Sequence, residues 1–304
     1  MLNSKDMNKN LVGILLIDKP VGITSTVVDR VCKRRFNLSK VGHLGTLDPF
    51  ASGLIPVAFN GATKLIPYIK WNDNKTYEFE IEFGKKTDTG DITGSVIDVS
   101  GNIPTIDKLK TMLSKFIGEI QQRPHLYSAV KINGKPAYEL MRKGIMPEIK
   151  TKTVAIHKLE YIEQTDTKTH KLKATVSGGT YIRSLAEDIA SSLNTVAYTK
   201  SLRRTGVGLY DTGMPLDFIS DNKNNIDEVV SNNEVWLSVE NVLDDIPVIE
   251  VTDEEATNLR LGRSINLCGK DGLYLVKSSN GFVNLSRGVD GCLQPERLIK
   301  DVGV

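Results

Sequence analysis

Val41 to Pro56 reads VGHLGTLDPFASGLIP and holds a single acid, Asp48. The glycines at 42, 45 and 53 allow tight turns and close approach of a ligand. Pro49 turns Asp48 away from helical geometry. A carboxylate displayed this way can act as a nucleophile or a base, provided it stays ionised and faces a cleft. Taken alone, the string fits the commoner surface Asp-Pro turn better. Arg183 stands in the first turn expected for YIRSLAEDIASSL. A cation there opposes the helix dipole, which favours a dedicated anionic partner over an idle surface position. Tyr77 lies on the apolar side of TYEFEIEF, where pattern alone makes it a core aromatic.

These side chains need a frame. LVGILLID (11–18) predicts a strand, and Thr24 or Ser25 predicts the cap of a helix through Phe36 that buries Val27, Val28 and Val31. The outer face of that helix carries Arg30, Lys33 and Arg34. Strict alternation in 76–83 predicts a half-buried strand. GKKTDTGD (84–91) follows as a turn-rich loop, SVIDV (95–99) as a strand and 105–116 as an amphipathic helix. Residues 121–150 mix basic residues, tyrosines, glycines and prolines, an extended excursion with a short helix near 136–143. A strand at 170–177, a turn at 178–180, a helix with Ile182, Leu185, Ile189 and Leu193 at helical spacing, and a strand over 195–204 complete the body. The acidic, Asn-rich SDNKNNIDEVVSNNE (220–234) is the best linker candidate. Beyond Pro247, a helix near 252–261 and strands near 272–277 and 281–286 suit a small β-rich domain.

The chain has 304 residues, 40% of them hydrophobic and 25% charged, enough for a large core and more than one domain. Its net charge of +2 conceals an asymmetry. Residues 1–200 carry 29 Lys and Arg against 20 Asp and Glu, a net of +9, while 201–304 carry 10 against 17, a net of −7. A basic body favours a polyanionic partner, though only slightly over a plain solvated surface. Three scattered cysteines (32, 268 and 292) form no disulfide framework and suit a reducing compartment. MLNSKDMNKN lacks the apolar core of a signal peptide, and no apolar run is long enough to span a bilayer. A cytoplasmic protein is expected.

Cofactor signatures fail. GKKT (84–87) has Phe79 where a phosphate loop needs its first glycine. No G-x-G-x-x-G opens a helix, and His43, His125, His157 and His170 lie far apart with no H-x-x-x-H or zinc-deaminase pattern. The sequence therefore gives no support for ATP, NAD or a catalytic metal.

The longer string GHLGTLDPFASGLIPVAFNGATK resembles the catalytic motif of the TruB family of tRNA pseudouridine synthases. DKPVGITS (18–25), KTYEFEIEFGKKTDTGD (75–91), QRPHLYSAVKINGKPAYELMRKG (122–144), SGGTYIRSLAEDI (177–189) and SLRR (201–204) resemble the family's other elements in order, across about residues 11–210. The resemblance implies an α+β pseudouridine synthase fold with a central, mainly antiparallel mixed sheet flanked by helices and loops. It implies a catalytic domain over 1–240 with an RNA-gripping insertion at about 122–150. A PUA-like domain over 247–304 matches more loosely.

It also implies roles. Asp48 becomes the catalytic carboxylate, attacking C1′ or C6 or taking the C2′ proton, three routes that the sequence leaves open. Arg183 keeps it charged and oriented. Tyr77 packs on the target base with its hydroxyl near C5, and Tyr181 and Leu202 wall the pocket. His43 fills the place of the extruded nucleotide. Lys19, Lys64, Arg123, Lys131, Arg142, Lys143, Arg203 and Arg204 contact phosphates. The implied substrate is uridine 55 in the T loop of tRNA, isomerised in a reaction that needs no cofactor by a monomer with no obligatory protein partner. Arg260, Arg263 and Arg287 leave two uses of the terminal domain equally open, RNA contact or packing. Two alternatives to a stand-alone enzyme are a non-catalytic RNA-binding or tRNA-folding protein and an RNA-guided synthase. The first leaves Asp48 and Arg183 without a purpose as a pair. The second usually brings basic extensions absent here.

Overall fold

The computed structural model describes residues 11–70, 74–221, 226–266 and 269–299. The first ten residues, Cys268 and the centre of the 220–234 stretch lie outside them. In chain order come β1 (Gly13–Lys19), α1 (Ser25–Arg35), β2 (Val41–His43), β3 (Ser52–Phe59), β4 (Asn74–Phe83), β5 (Lys85–Thr87), β6 (Val96–Val99), α2 (Ile106–Leu113) and β7 (Gly118–Gln122). The insertion holds β8 (Lys131–Ile132), β9 (Lys135–Pro136) and α3 (Ala137–Arg142). Then follow β10 (Lys152–Asp166), β11 (Thr169–Ser177), α4 (Ile182–Ser192), β12 (Ala197–Val207), β13 (Met214–Pro215), α5 (Leu216–Asp221), α6 (Ile226–Ser231), β14 (Trp236–Leu237) and α7 (Val239–Val242). The chain closes with β15 (Val248–Glu250), α8 (Asp253–Arg260), β16 (Ile265–Asn266), β17 (Gly272–Ser278), β18 (Gly281–Val289) and β19 (Cys292–Leu298).

Ten strands form one mixed sheet in the order β13-β1-β3-β12-β4-β11-β10-β7, with β14 on β1 and β2 on β3. Most pairs are antiparallel; β1 with β13 and β3 with β12 are parallel. β1 and β3 are buried almost throughout, the pattern of strands covered on both faces. β4 alternates as its sequence predicts, with Tyr77, Phe79, Ile81 and Phe83 buried. Thr24 caps α1 through the Val27 amide, as expected. In α4, Ile182, Leu185, Ala186, Ile189 and Ala190 are buried, and this face packs toward β12. The loop expected over 84–91 is partly strand, because β5 pairs with β6 across Thr87 and Val96.

The described part of the predicted linker is folded. It holds α6, and α5 and β14 beside it pack on the main sheet, with Trp236 opposite Leu15 and Leu237 opposite Ile14. Leu216, Ile219, Val229 and Val235 are buried between the polar residues. Sparse apolar anchors outweigh the Asn-rich composition, since one or two buried side chains suffice to seat a short helix.

The terminal sheet runs β15-β17-β18-β19-β16, with α8 against it under a Thr252–Glu255 capping box. It has a small core of Ala256, Leu259, Val276, Val283 and Leu293, while Leu275, Leu285 and Ile299 join the main core. Lys64 Nζ donates to the Leu298 carbonyl at 2.8 Å and the Tyr68 hydroxyl to Glu296 at 2.8 Å, fastening the two sheets. Among the described residues, no helix is long and apolar enough to cross a membrane.

Candidate active site

Asp48 lies between β2 and β3, on the loop that returns the chain into the sheet. Two glycines shape this loop. Gly45 has φ +74°, and a side chain there would press on Lys75 and Arg204. Gly53 has φ +106° and sits opposite Arg204 in the parallel β3–β12 pair. An added Cβ would lie 2.2 Å from the Arg204 carbonyl oxygen. Ser25 Oγ fixes the loop from below, accepting from the Leu47 amide at 2.9 Å.

Arg183 reaches this loop from the first turn of α4. Its Nε lies 2.9 Å from Asp48 Oδ2, and its Nη1 lies 3.6 Å from Asp91 Oδ2. Nη1 also donates to the Thr89 carbonyl at 2.8 Å and Nη2 to the Tyr127 carbonyl at 2.9 Å. The side chain is 3% exposed, so the guanidinium is fixed from several sides before any ligand arrives. The Asp48 carboxylate is 33% exposed, open to the cleft on one side. The surrounding protein still strips enough hydration to push its pKa above the ordinary aspartate value. Arg183 pulls it back, Asp91 adds to the rise, and His125 opposes it.

A cleft of about 260 Å³ opens beside the pair, lined by the 45–48 loop, Lys75, Tyr77, the 179–183 segment, Leu202 and Arg204, with Ala129 and Val130 from the insertion. This is slightly below the roughly 300–1,000 Å³ of drug-sized ligand pockets, room for one nucleoside unit rather than a large cofactor. Tyr77 and Leu202 are each 7% exposed and form apolar walls. Lys152 Nζ stands 4.9 Å from the centre of the Tyr181 ring and steadies it. Burial pushes the Tyr181 phenol upward, so it stays neutral. Among the described residues, no group of three or more His, Cys, Asp or Glu is placed to hold a metal ion.

The sequence-predicted residues therefore divide. Asp48, Tyr77, Arg183, Tyr181 and Leu202 converge on one cleft. His43 does not line it; Nδ1 is tied to Asp29 at 2.7 Å and Nε2 to Thr46 Oγ1 at 3.1 Å, at the base of the same loop. Arg123, Lys131, Arg142 and Lys143 are exposed in the insertion. The expected phosphate contacts at Lys19 and Arg204 are corrected. Lys19 is fully buried, donates to the carbonyls of Pro20, Ile23 and Ala51, and has its pKa drawn down to about 8 by burial. Arg204 is 1% exposed and donates to the carbonyls of Leu54 and Gly45. Both hold the Asp48 loop instead. Lys64 faces the terminal sheet, and Arg203 forks onto Asp18 at 3.0 and 2.5 Å.

Sequence reasoning misses Lys75, Asp91, His125 and Lys152. Lys75 carries a readable signal, since it sits two residues before Tyr77 on the same face of β4. Asp91, within a turn-rich string, carries none.

Comparisons with known proteins bear on this arrangement. The family model described as TruB family pseudouridylate synthase (N terminal domain) matches residues 33–182. The tRNA pseudouridine synthase B of Gluconacetobacter diazotrophicus is 38% identical over 307 residues, spanning 94% of this chain and 97% of its own length. That of Rhodospirillum rubrum is 38% identical over 300 residues, spanning 94% and 96%. Among solved structures, a Cbf5-Nop10-Gar1 complex aligns with a TM-score of 0.65 at 23% identity, covering 98% of this chain and 87% of that one. An H/ACA RNP bound to a substrate RNA containing 2'-deoxyuridine gives 0.64 at 22%, covering 97% and 87%. These two likenesses carry the pseudouridine synthase fold and its PUA-like terminal sheet, and the more similar relatives carry more. The chain belongs to the TruB family of pseudouridylate synthases.

Proposed function

We propose that this protein isomerises uridine to pseudouridine in tRNA, at uridine 55 of the T loop, as a stand-alone cytoplasmic monomer using no cofactor. The observation that carries the reading is the Asp48–Arg183 pair at the open end of a nucleoside-sized cleft. A uridine within the folded loop must be extruded to reach it, at a cost of a few kcal/mol. Tyr77, Tyr181 and Leu202 then replace the lost stacking. The N1–C1′ bond breaks, the uracil turns, C5 bonds to C1′, and the C5 proton leaves as N1 gains one. Composition does not change, so no oxidant or reductant is needed. Asp48 acts in its ionised form, and Arg183 keeps it ionised and aimed despite the desolvation. The Tyr77 phenol, in the wall of the cleft, relays the C5 proton. His43 braces the loop toward the vacated stack. Exposed cations of the 122–150 insertion grip the RNA backbone, which positions more than it specifies. The catalytic domain comprises 1–240 and the terminal domain 247–304.

The relatives' name, tRNA pseudouridine synthase B, favours a free-standing enzyme over the guided assemblies that share the fold. The deciding experiment incubates purified protein with an unmodified tRNA transcript and maps pseudouridine chemically. Conversion at one T-loop uridine is expected. A requirement for guide RNA or partner proteins would overturn it.

A further inference from the structure

Helix α4 delivers Arg183, yet its start has no side-chain cap of its own; Tyr181 precedes it in extended geometry. What holds the backbone of Tyr181 itself comes from 59 residues away in sequence. Gln122, the last residue of β7 before the insertion, is fully buried. Its Oε1 accepts from the Tyr181 amide at 2.8 Å, and its Nε2 donates to the Tyr181 carbonyl at 3.1 Å. One side-chain amide thus pairs with Tyr181 as a neighbouring strand would. The adjoining residues repeat the attachment. Ser184 Oγ donates to the Arg123 carbonyl at 3.0 Å, the Tyr127 carbonyl accepts from Arg183, and the His125 ring stands 3.6 Å from Glu187. The root of the insertion and the first turns of α4 are stitched together, with Gln122 as the innermost stitch.

We propose that Gln122 is a positioning residue for pseudouridine formation: its amide sets the register of Tyr181, and with it the pocket wall and the approach of Arg183 to Asp48. The insertion is thereby coupled to the catalytic arginine through a fixed hydrogen-bonded unit. The proposal deepens the functional reading above and rests on it.

Gln122→Glu gives a test with a signature that mere core filling does not predict. In its protonated form the introduced carboxyl copies the amide, accepting from the Tyr181 N–H and donating to its carbonyl. In its ionised form it cannot donate and repels that carbonyl. Burial raises the pKa of such a carboxyl. Single-turnover conversion of tRNA transcript, taken as the ratio of variant to wild type at each pH, should be reduced on the order of 100-fold at alkaline pH. The ratio should recover as pH falls and the introduced carboxyl takes its proton. RNA affinity should change less than about threefold by filter binding, because the phosphate contacts are unchanged. Gln122→Met, of similar volume but unable to make either bond, should be slow at every pH. A ratio near one throughout, a deficit independent of pH in Gln122→Glu, or a loss confined to affinity would each overturn the proposal.

A second arm needs neither activity nor a stable variant. In the wild-type protein, the Tyr181 amide should exchange with solvent at the slow rate of core strand amides. Exchange at the rate of an open loop would refute the clamp. Because this arm does not depend on catalysis, a protein that made no pseudouridine would sink the functional reading while leaving the clamp standing or fallen on its own evidence.

Discussion

The insertion and the terminal sheet both carry arginines and lysines, but they use them differently. In the terminal sheet, Arg287 is paired with Glu296, Arg263 contacts Asn258 and Lys277 is paired with Glu240. Arg287 and Lys277 are thereby tied to acids, one within the sheet and one on the body, while Arg263 meets only a neutral amide. In the insertion, Arg123, Lys131 and Lys143 are exposed, and Arg142 lies over the Tyr138 ring at 5.4 Å. A count of positive charge would rank the two regions as alike in kind. The internal pairing separates a surface whose cations face solvent from one where Arg287 and Lys277 are paired with acids, and it favours packing over RNA contact at those two positions.

The sharpest way to stress this division lies at the cleft beside the insertion. Asp48→Asn should abolish pseudouridine formation while tRNA affinity persists; measurable conversion by that variant would remove Asp48 from its role. Arg183→Lys should follow, losing on the order of 100-fold in rate, because an ammonium cannot contact Asp48, Thr89 and Tyr127 in one plane. Near-normal turnover would mean that charge alone suffices. Acidification should slow the wild-type enzyme as Asp48 protonates, and this limb should lie above the roughly 3.9 of an ordinary aspartate. The sign follows from burial: desolvation raises the carboxyl pKa, so the ionised form is lost earlier as pH falls. A rate that holds steady down to the ordinary aspartate range would contradict it.

Smaller effects separate the two regions directly. Removing Lys131 and Lys143 together should weaken RNA binding and flatten its salt dependence, by about 0.7–0.9 in the log–log slope per lost phosphate contact. Arg287→Ala should leave that slope alone. Equal slopes for the two variants would erase the contrast drawn above. Smallest of all, Tyr68→Phe should cost about 1 kcal/mol of stability through the lost bond to Glu296, read by denaturant melting, with turnover unchanged.

Much of the body is readable from sequence because its signals are local. The alternation of 76–83, the Thr24 cap and the spacing of Ile182, Leu185 and Ile189 each report an element directly, and each is present. The long β10 is not readable, since KTVAIHKLEYIEQTD is mostly charged and polar along its outer half and holds its place by pairing with β11 and β7. The Asn-rich stretch misleads for the opposite reason, because its structure depends on the main sheet and not on its own composition. At the site, motif resemblance locates the cleft's walls but does not distinguish cations facing solvent from those turned inward. Lys19 and Arg204 look basic in sequence, and only the fold shows that backbone carbonyls occupy them.

The absence of a side chain at Gly53 has a reach beyond its own turn. Any replacement would wedge β3 away from β12 along the short stretch where they pair, and the strand carrying Leu202 would shift with it. A single methyl group there would be felt across the whole chemical centre, so this glycine is a position where the protein has little freedom to drift and where a mutational scan should find every variant impaired.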